Sequence, residues 1–220
     1  MARKIKFGSY DTAETGGWTL CEWSLSAPVY EQHFIDVPGR RRGPLDASDV
    51  LTDGEPVYES RTLTARLESS EGTRLEREEV INTMVNLLDG WRMDIVLPDD
   101  DGHYITGRVH VARQYNDQAH ASVIVTAVCE PWRYANDETV VTLTAASSSK
   151  TKKLTNNGRL SVVPLVVITG GPVSLTFGTS SWSLSAGTYA LPGMRLQQGT
   201  ASLTYSGSGT VKMTYREAVL

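Results

Sequence analysis

The sequence predicts a mainly β (α+β) chain: an N-terminal β-sandwich with one α-helix and an extended arm over residues 1–135, and a second β-sandwich over residues 136–220. Three observations carry this reading. Apolar residues recur with period two through most of the patterned segments, as half-buried strands require. One stretch, Arg74 to Asp89, switches to helical spacing. From Asn136 onward the chain becomes rich in Ser, Thr, Gly and Val and loses every helix pattern. A length of 220 residues with 40% hydrophobic and 21% charged residues suits a globular protein of one large or two small β-domains and sets aside the disordered and fibrous classes.

In chain order, residues 36–57 come first as an arm. They carry Pro38, Gly39, Gly43, Pro44, Gly54 and Pro56 with few apolar residues, and they read as a long extended loop, the kind of segment that tends to meet a partner. Tyr58 to Glu68 alternates, with Leu63, Ala65 and Leu67 on one face and Thr62, Thr64 and Arg66 on the other. Thr73 and Glu76 have the form of a capping box ahead of the helix, in which Val80, Ile81, Met84, Val85, Leu87 and Leu88 recur at helical spacing. Gly90 stands at the C′ position. The helix is expected to close one side of the first β-domain.

Three strands follow the helix: Arg92 to Leu97, His103 to Val111, and Ala121 to Cys129, the last two paired across Tyr115-Asn116-Asp117. Beyond Asn136 the expected strands are Thr139–Thr144, Leu160–Thr169, Val173–Phe177, Ser181–Leu184, Thr188–Leu191, Ala201–Tyr205 and Thr210–Tyr215. Asn156-Asn157-Gly158 and Gly170-Gly171-Pro172 read as turns between them, and short strands at this spacing point to a sandwich.

Charge is divided unevenly. Residues 1–135 hold 14 Lys and Arg against 22 Asp and Glu, a net of −8, and residues 136–220 hold 7 against 3, a net of +4. An acidic first domain argues against binding to a phosphate backbone, which needs clustered cations. The longest apolar runs fall short of the roughly 18 residues a membrane span needs. The basic start, Met1 to Lys6, has no apolar stretch after it and does not read as a signal peptide, so synthesis and folding in a cytoplasm are expected. There Cys21 and Cys129 read as buried thiols, with a disulfide left open.

The motifs that carry chemistry are sparse. His33, His103, His110 and His120 form no metal-ligand spacing, although His110 and His120 are placed to face each other across a hairpin as a surface or interface pair. Asp99-Asp100-Asp101-Gly102 lacks the alternating ligands of a calcium loop and reads as a hairpin turn. Glu78-Glu79 with Asp99 and Asp101 would serve a glycosidase only if two carboxyl groups faced each other roughly 5–10 Å apart. They read more simply as a solvated helix face and a turn. Nucleophile-elbow, phosphate-loop and dinucleotide motifs are absent, so neither catalytic residues nor a cofactor or metal is expected. Arg40-Arg41-Arg42 sits in an acidic context and is expected to pair with carboxylates of the same or a neighbouring subunit. Trp182 and Tyr189 are candidates for stacking on a sugar.

Several segments together resemble the distal tail proteins of long-tailed bacteriophages. They are Asp36-Val37-Pro38-Gly39-Arg40 through Gly43 to Tyr58 with the strand Arg61–Leu67, and the helix with Leu97-Pro98-Asp99-Asp100 running into Tyr104-Ile105-Thr106-Gly107-Arg108. Cys129-Glu130-Pro131-Trp132-Arg133-Tyr134, Asn157-Gly158 with Pro164, and Gly209-Thr210-Val211 to Tyr215-Arg216 complete the set. Their order and spacing make the case, and the resemblance spans nearly the whole chain.

The resemblance implies a non-enzymatic virion protein whose first domain forms a ring and whose second is a galectin-like sandwich. It implies a homo-hexamer at the tail tip, assembled in the host cytoplasm, that joins the tail tube protein to the tail-tip hub protein. DNA would pass through the ring without specific binding, and an acidic lumen would suit that passage. The arm supplies the expected oligomer-interface residues, Arg40, Arg41, Arg42, Asp46, Asp49 and Asp53. The rival reading is a carbohydrate-binding module that recognises host-surface glycans through Trp182 or Tyr189.

Overall fold

The structure, a computed structural model, describes residues 4–15, 17–39, 43–48, 50, 52 and 54–220. The chain divides into two compact units, Met1–Pro131 and Trp132–Leu220, and the division falls inside a strand.

The first unit contains β1 (Lys6–Phe7), β2 (Tyr10–Asp11), β3 (Thr19–Leu25), β4 (Phe34–Ile35), β5 (Leu45–Asp46), β6 (Arg61–Ser69), α1 (Arg74–Leu88), β7 (Arg92–Val96), β8 (His103–Asn116) and β9 (Ala121–Ala135). Seven of these strands form a curled sheet in the order β2-β1-β7-β8-β9-β6-β3, while β4 and β5 form a separate two-stranded sheet. The alternation read from the sequence is realised. Leu63, Ala65 and Leu67 of β6 lie in register with Ala127, Val125 and Val123 of β9, and all six are buried. One core gathers this face together with Phe7, Trp18 and Leu20 from the sheet's ends and with the helix.

The helix starts and stops where local chemistry dictates. The Thr73 hydroxyl accepts from the Glu76 amide at 3.3 Å, and the Glu76 carboxylate accepts from the Thr73 amide at 2.6 Å, so two of the first free amides are satisfied. Gly90 follows the Asp89 cap with φ 78°. Ile81, Met84 and Leu88 form the buried stripe. Leu87 lies one position off that stripe and is 54% exposed, so the helical set read from the sequence was one residue too wide. Arg77 is buried beside the stripe. Its guanidinium donates to Gly72 O at 2.6 Å, Asp117 O at 2.8 Å and Asn116 Oδ1 at 3.4 Å, tying the helix start to the β8–β9 turn. A buried cation requires such pairing.

Cys129 is buried under the sheet, and burial pushes its thiol up to about 11. Cys21 contradicts the expectation of a buried thiol: it is exposed. The register of β3 on β6 slips between Leu20 and Glu22, and this irregularity turns Cys21 outward.

The second unit contains β10 (Thr139–Thr144), β11 (Lys150–Asn156), β12 (Leu165–Phe177), β13 (Ser180–Leu184), β14 (Gly187–Ala190), β15 (Gly199–Tyr215) and β16 (Ala218–Val219), the last paired with the Arg133–Tyr134 end of β9. Two long strands organise it. The early part of β12 and the late part of β15 pair with each other and with β14 and β10. The late part of β12 and the early part of β15 pair with each other and with β13 and β11. Val166, Ile168, Val211 and Met213 from one half and Leu175, Leu203 and Leu154 from the other share a single core, which makes the unit a sandwich built from one bent sheet.

Gly170-Gly171-Pro172 is therefore not a turn between two strands. It is an irregularity within β12, between Gly170 and Val173, set against Gly207 to Gly209 of β15. The backbones approach so closely here that a Cβ on Gly209 would meet Gly171 O and, at 2.8 Å, Thr169 O. Gly207 adopts φ 134°, a conformation that favours glycine. The sequence reading missed the Lys-rich strand β11, the short β16 and the joining of four short strands into two long ones, and in the first unit it missed β1, β2 and β3. Gly209→Ala is expected to destabilise the second unit by about 1–3 kcal/mol through overpacking. Differential scanning calorimetry should show this as a lowered melting transition.

Candidate functional site

The arm is built as a laddered hairpin. At its base Tyr30 and Tyr58 form an isolated bridge with edge-on rings, centroids 6.0 Å apart at 68°. On either side of the bridge, the Glu31 amide donates to Val57 O and the Glu59 amide to Val29 O, each at 2.9 Å. Further out, Phe34 pairs with Asp46 and Ile35 with Leu45. Ser48 locks this two-stranded piece. Its buried hydroxyl accepts from the His33 amide at 2.9 Å and donates to Asp46 Oδ1 at 2.5 Å, while its amide donates to the same oxygen at 3.0 Å. Those two bonds from Ser48 hold the Asp46 carboxyl below the usual aspartate range.

The described backbone of this hairpin is paired at its base and between β4 and β5, but its apolar side chains are not covered. Phe34 is 56% exposed and Val50 67%, and Val29, Ile35, Val37 and Leu45 are exposed as well. Phe34 and Ile35 are neighbours on one strand, so both faces of that strand present an apolar side chain. Fully burying a side chain of this kind yields about 1.5–3 kcal/mol. A two-stranded hairpin in water is marginal alone. The arm therefore has the make-up of a contact element awaiting a surface. The exposed Leu75, Leu87 and Trp91, on and just after the helix, are further large apolar side chains of the first unit.

Of the interface residues expected from sequence, Arg40, Arg41, Arg42, Asp49 and Asp53 lie outside the described residues. Asp46 is described, and it spends one carboxylate oxygen on Ser48 of its own arm. The apolar residues of the arm were the missed signal. Phe34-Ile35-Asp36-Val37 is a β-favouring tetrapeptide at the entry to a Pro- and Gly-rich stretch, and the charges downstream drew attention from it.

The other candidates take local roles. His110 and His120 each have a separate partner: His110 Nδ1 lies 2.7 Å from Asp89 Oδ1, and His120 packs edge-on against Tyr115. Asp99-Asp100-Asp101-Gly102 forms the turn between β7 and β8, with Asp99 at φ 63°. Glu78 accepts from Asn116 at 3.1 Å and from Arg113 at 2.5 Å, and these partners, Asn116 foremost, hold its carboxyl below the usual range. Among the described residues no group of three or more His, Cys, Asp or Glu is placed to hold a metal ion. No helix among them is long and apolar enough to cross a membrane. Trp182 on β13 and Tyr189 on β14 are partly buried against the second core, and Tyr189 Oη donates to Ser185 O at 3.1 Å.

The helix-backed curled sheet with its arm and the bent-sheet sandwich are together similar in fold to a solved phage tail protein. The solved structure that carries the comparison is the crystal structure of the SPP1 Dit (gp 19.1) protein, described as a paradigm of the hub adsorption apparatus in Gram-positive infecting phages. It is similar to this chain with a TM-score of 0.69 at 14% identity, over 98% of this chain and 99% of that one. The resemblance read from the sequence thus holds at the level of fold. No protein-family model and no curated protein matches the sequence.

Ser48→Ala removes the lock of the arm. The Asp46 carboxyl is then expected to return towards the ordinary aspartate range, and the His33 amide to exchange faster. Carboxyl-detected and amide-exchange NMR report both. Because the folded pKa of Asp46 lies below its unfolded value, its contribution to the arm is present at neutral pH and is lost as pH falls through the depressed pKa. The wild-type arm should loosen in acid.

Proposed function

We propose that this chain is a structural protein of a bacteriophage tail tip. Six copies form a ring that joins the tail tube to the tail-tip hub, and DNA passes through without specific binding. The arm is the element that carries this reading. Its apolar side chains are exposed along a hairpin paired at its base and between β4 and β5, and a neighbouring copy would bury them. The fold shared with the SPP1 Dit protein over nearly the full length supports a place in the hub of the adsorption apparatus. Heterologous contacts repeated around an axis close into a ring, which suits an arm that reaches away from its own core. The net −8 of residues 1–135 suits a lumen that repels phosphates. The protein would then sit at the tail tip of the virion after assembly in the host cytoplasm, and its sparse catalytic inventory agrees with a role that is not enzymatic.

Sedimentation velocity over a concentration series tests the ring. The wild type is expected to reach about 145 kDa, six copies of the 24.1 kDa chain. The exposed-residue variant Ile35→Asp/Leu45→Asp should keep its fold and sediment as a monomer. A variant that assembles as well as the wild type would refute the role given to the arm.

A further inference from the structure

The second unit carries a cavity with one-sided chemistry. From Thr139 to Arg216 the chain has seven Lys and Arg and not one Asp or Glu. The carboxylates that flank this stretch are engaged, Glu138 with Arg216 at 3.1 Å and Glu217 with Asn157 at 3.2 Å. On the half of the sheet made by β11, the early part of β15 and the late part of β12, the outward face is a field of hydroxyls. Thr204 stands in register with both Thr151 and Thr176, and Thr155 with Thr200. Their oxygens lie close, at 3.4 Å for Thr151–Thr204 and 3.3 Å for Thr155–Thr200. Leu154, Leu175 and Leu203 alternate with them and are buried, so the core fixes the hydroxyl positions.

Beside this face runs Arg195–Gln198, and it is anchored. Leu196 is buried, exchanges two backbone hydrogen bonds with Val162 at 2.8 and 3.0 Å, and accepts at its carbonyl from the buried Asn156 amide at 3.0 Å. Its neighbours Arg195 and Gln197 are thereby turned outward. Together the segment and the sheet border an open cavity of about 570 Å³, lined by Arg195, Gln197, Gln198, Phe177, Thr176 and Thr204 among others. Lys153, in register with Ser202 of the lining, presents a second cation on the same side.

We propose that this cavity binds an anionic saccharide, a sugar chain bearing carboxylate or phosphate groups. Its volume falls within the range of small-molecule sites. Hydroxyl and amide side chains match a polyhydroxylated ligand, each donor and acceptor meeting its counterpart. The Arg195 guanidinium takes an acid group in a charge-assisted pair, with Lys153 adding a second point of attraction. No carboxylate in the whole stretch repels the ligand. A single aromatic ring, Phe177, is too few for a base-stacking track of the kind single-stranded nucleic acid uses. The inference stands independently of ring assembly and differs in place and in chemistry from stacking at Trp182 or Tyr189.

Isothermal titration of the full chain, with amide chemical-shift mapping, tests it. The probes are a galacturonate hexamer, a phosphomannan oligosaccharide, cellohexaose and single-stranded DNA. At least one acidic sugar is expected to bind, with shifts centred on Thr176, Gln197 and Thr204, and which of the two binds tells carboxylate from phosphate. Arg195→Gln should weaken that binding about tenfold, Lys153→Gln should weaken it less, and cellohexaose should bind far more weakly than the acidic sugar. Both substitutions are at exposed side chains, and an unchanged amide spectrum would verify the fold. The proposal is overturned by failure of both acidic sugars to bind, by binding indifferent to Arg195→Gln, or by DNA binding as tightly as the sugars.

Discussion

A pleated strand covered on one face buries only every second side chain, and both units of this chain are organised around that limit. In the first, Leu63, Ala65 and Leu67 meet Val123, Val125 and Ala127 beneath a single helix, while Thr62 and Arg66 stay outside. In the second, the bent sheet closes on itself, so Leu175 and Leu203 face Val166 and Val211 within one core, while Thr176 and Ser202 face out. One apolar face is buried and one polar face remains for water. Against that regularity the arm is conspicuous, because consecutive residues Phe34 and Ile35 leave its own strand without a polar side. Among the described residues the first unit has no second helix to cover them, and Ser48 ties the strands that carry them together.

Much of the fold was legible in the sequence. The helix was marked by a capping box at its start and by Gly90 at its end, both local chemical signals that tertiary structure had no reason to override. Clean alternation over Tyr58–Glu68 and Ala121–Cys129 marked β6 and the first part of β9. The rest was hidden for physical reasons. Gly171 and Gly209 allow two backbones to touch inside a continuous sheet, yet glycine clusters in sequence are indistinguishable from turns. β11 shows only Leu154 and Asn156 to the core, so its lysines concealed a strand. Cys21 depended on a register slip, which no single-strand pattern encodes.

The site was only half legible. Charge drew attention to Arg40 through Arg42 and to the aspartates of the arm, whereas the described part of the arm speaks through its apolar side chains. Charge was more informative at the level of whole segments. The acidic first part and the carboxylate-free stretch after Thr139 differ in what they repel, and the structure sets that second stretch around a hydroxyl-lined cavity. One chain would then divide its work, with assembly in the part that carries uncovered apolar surface and recognition in the part that carries uncovered polar surface.

The central claim is that the arm is completed by a second copy of the same chain. Electron cryo-microscopy of the assembled protein tests it most directly. The account predicts six-fold rings in which Phe34, Ile35 and Leu45 are buried against the neighbouring subunit. Rings held by other surfaces, with these side chains left in solvent, would contradict it.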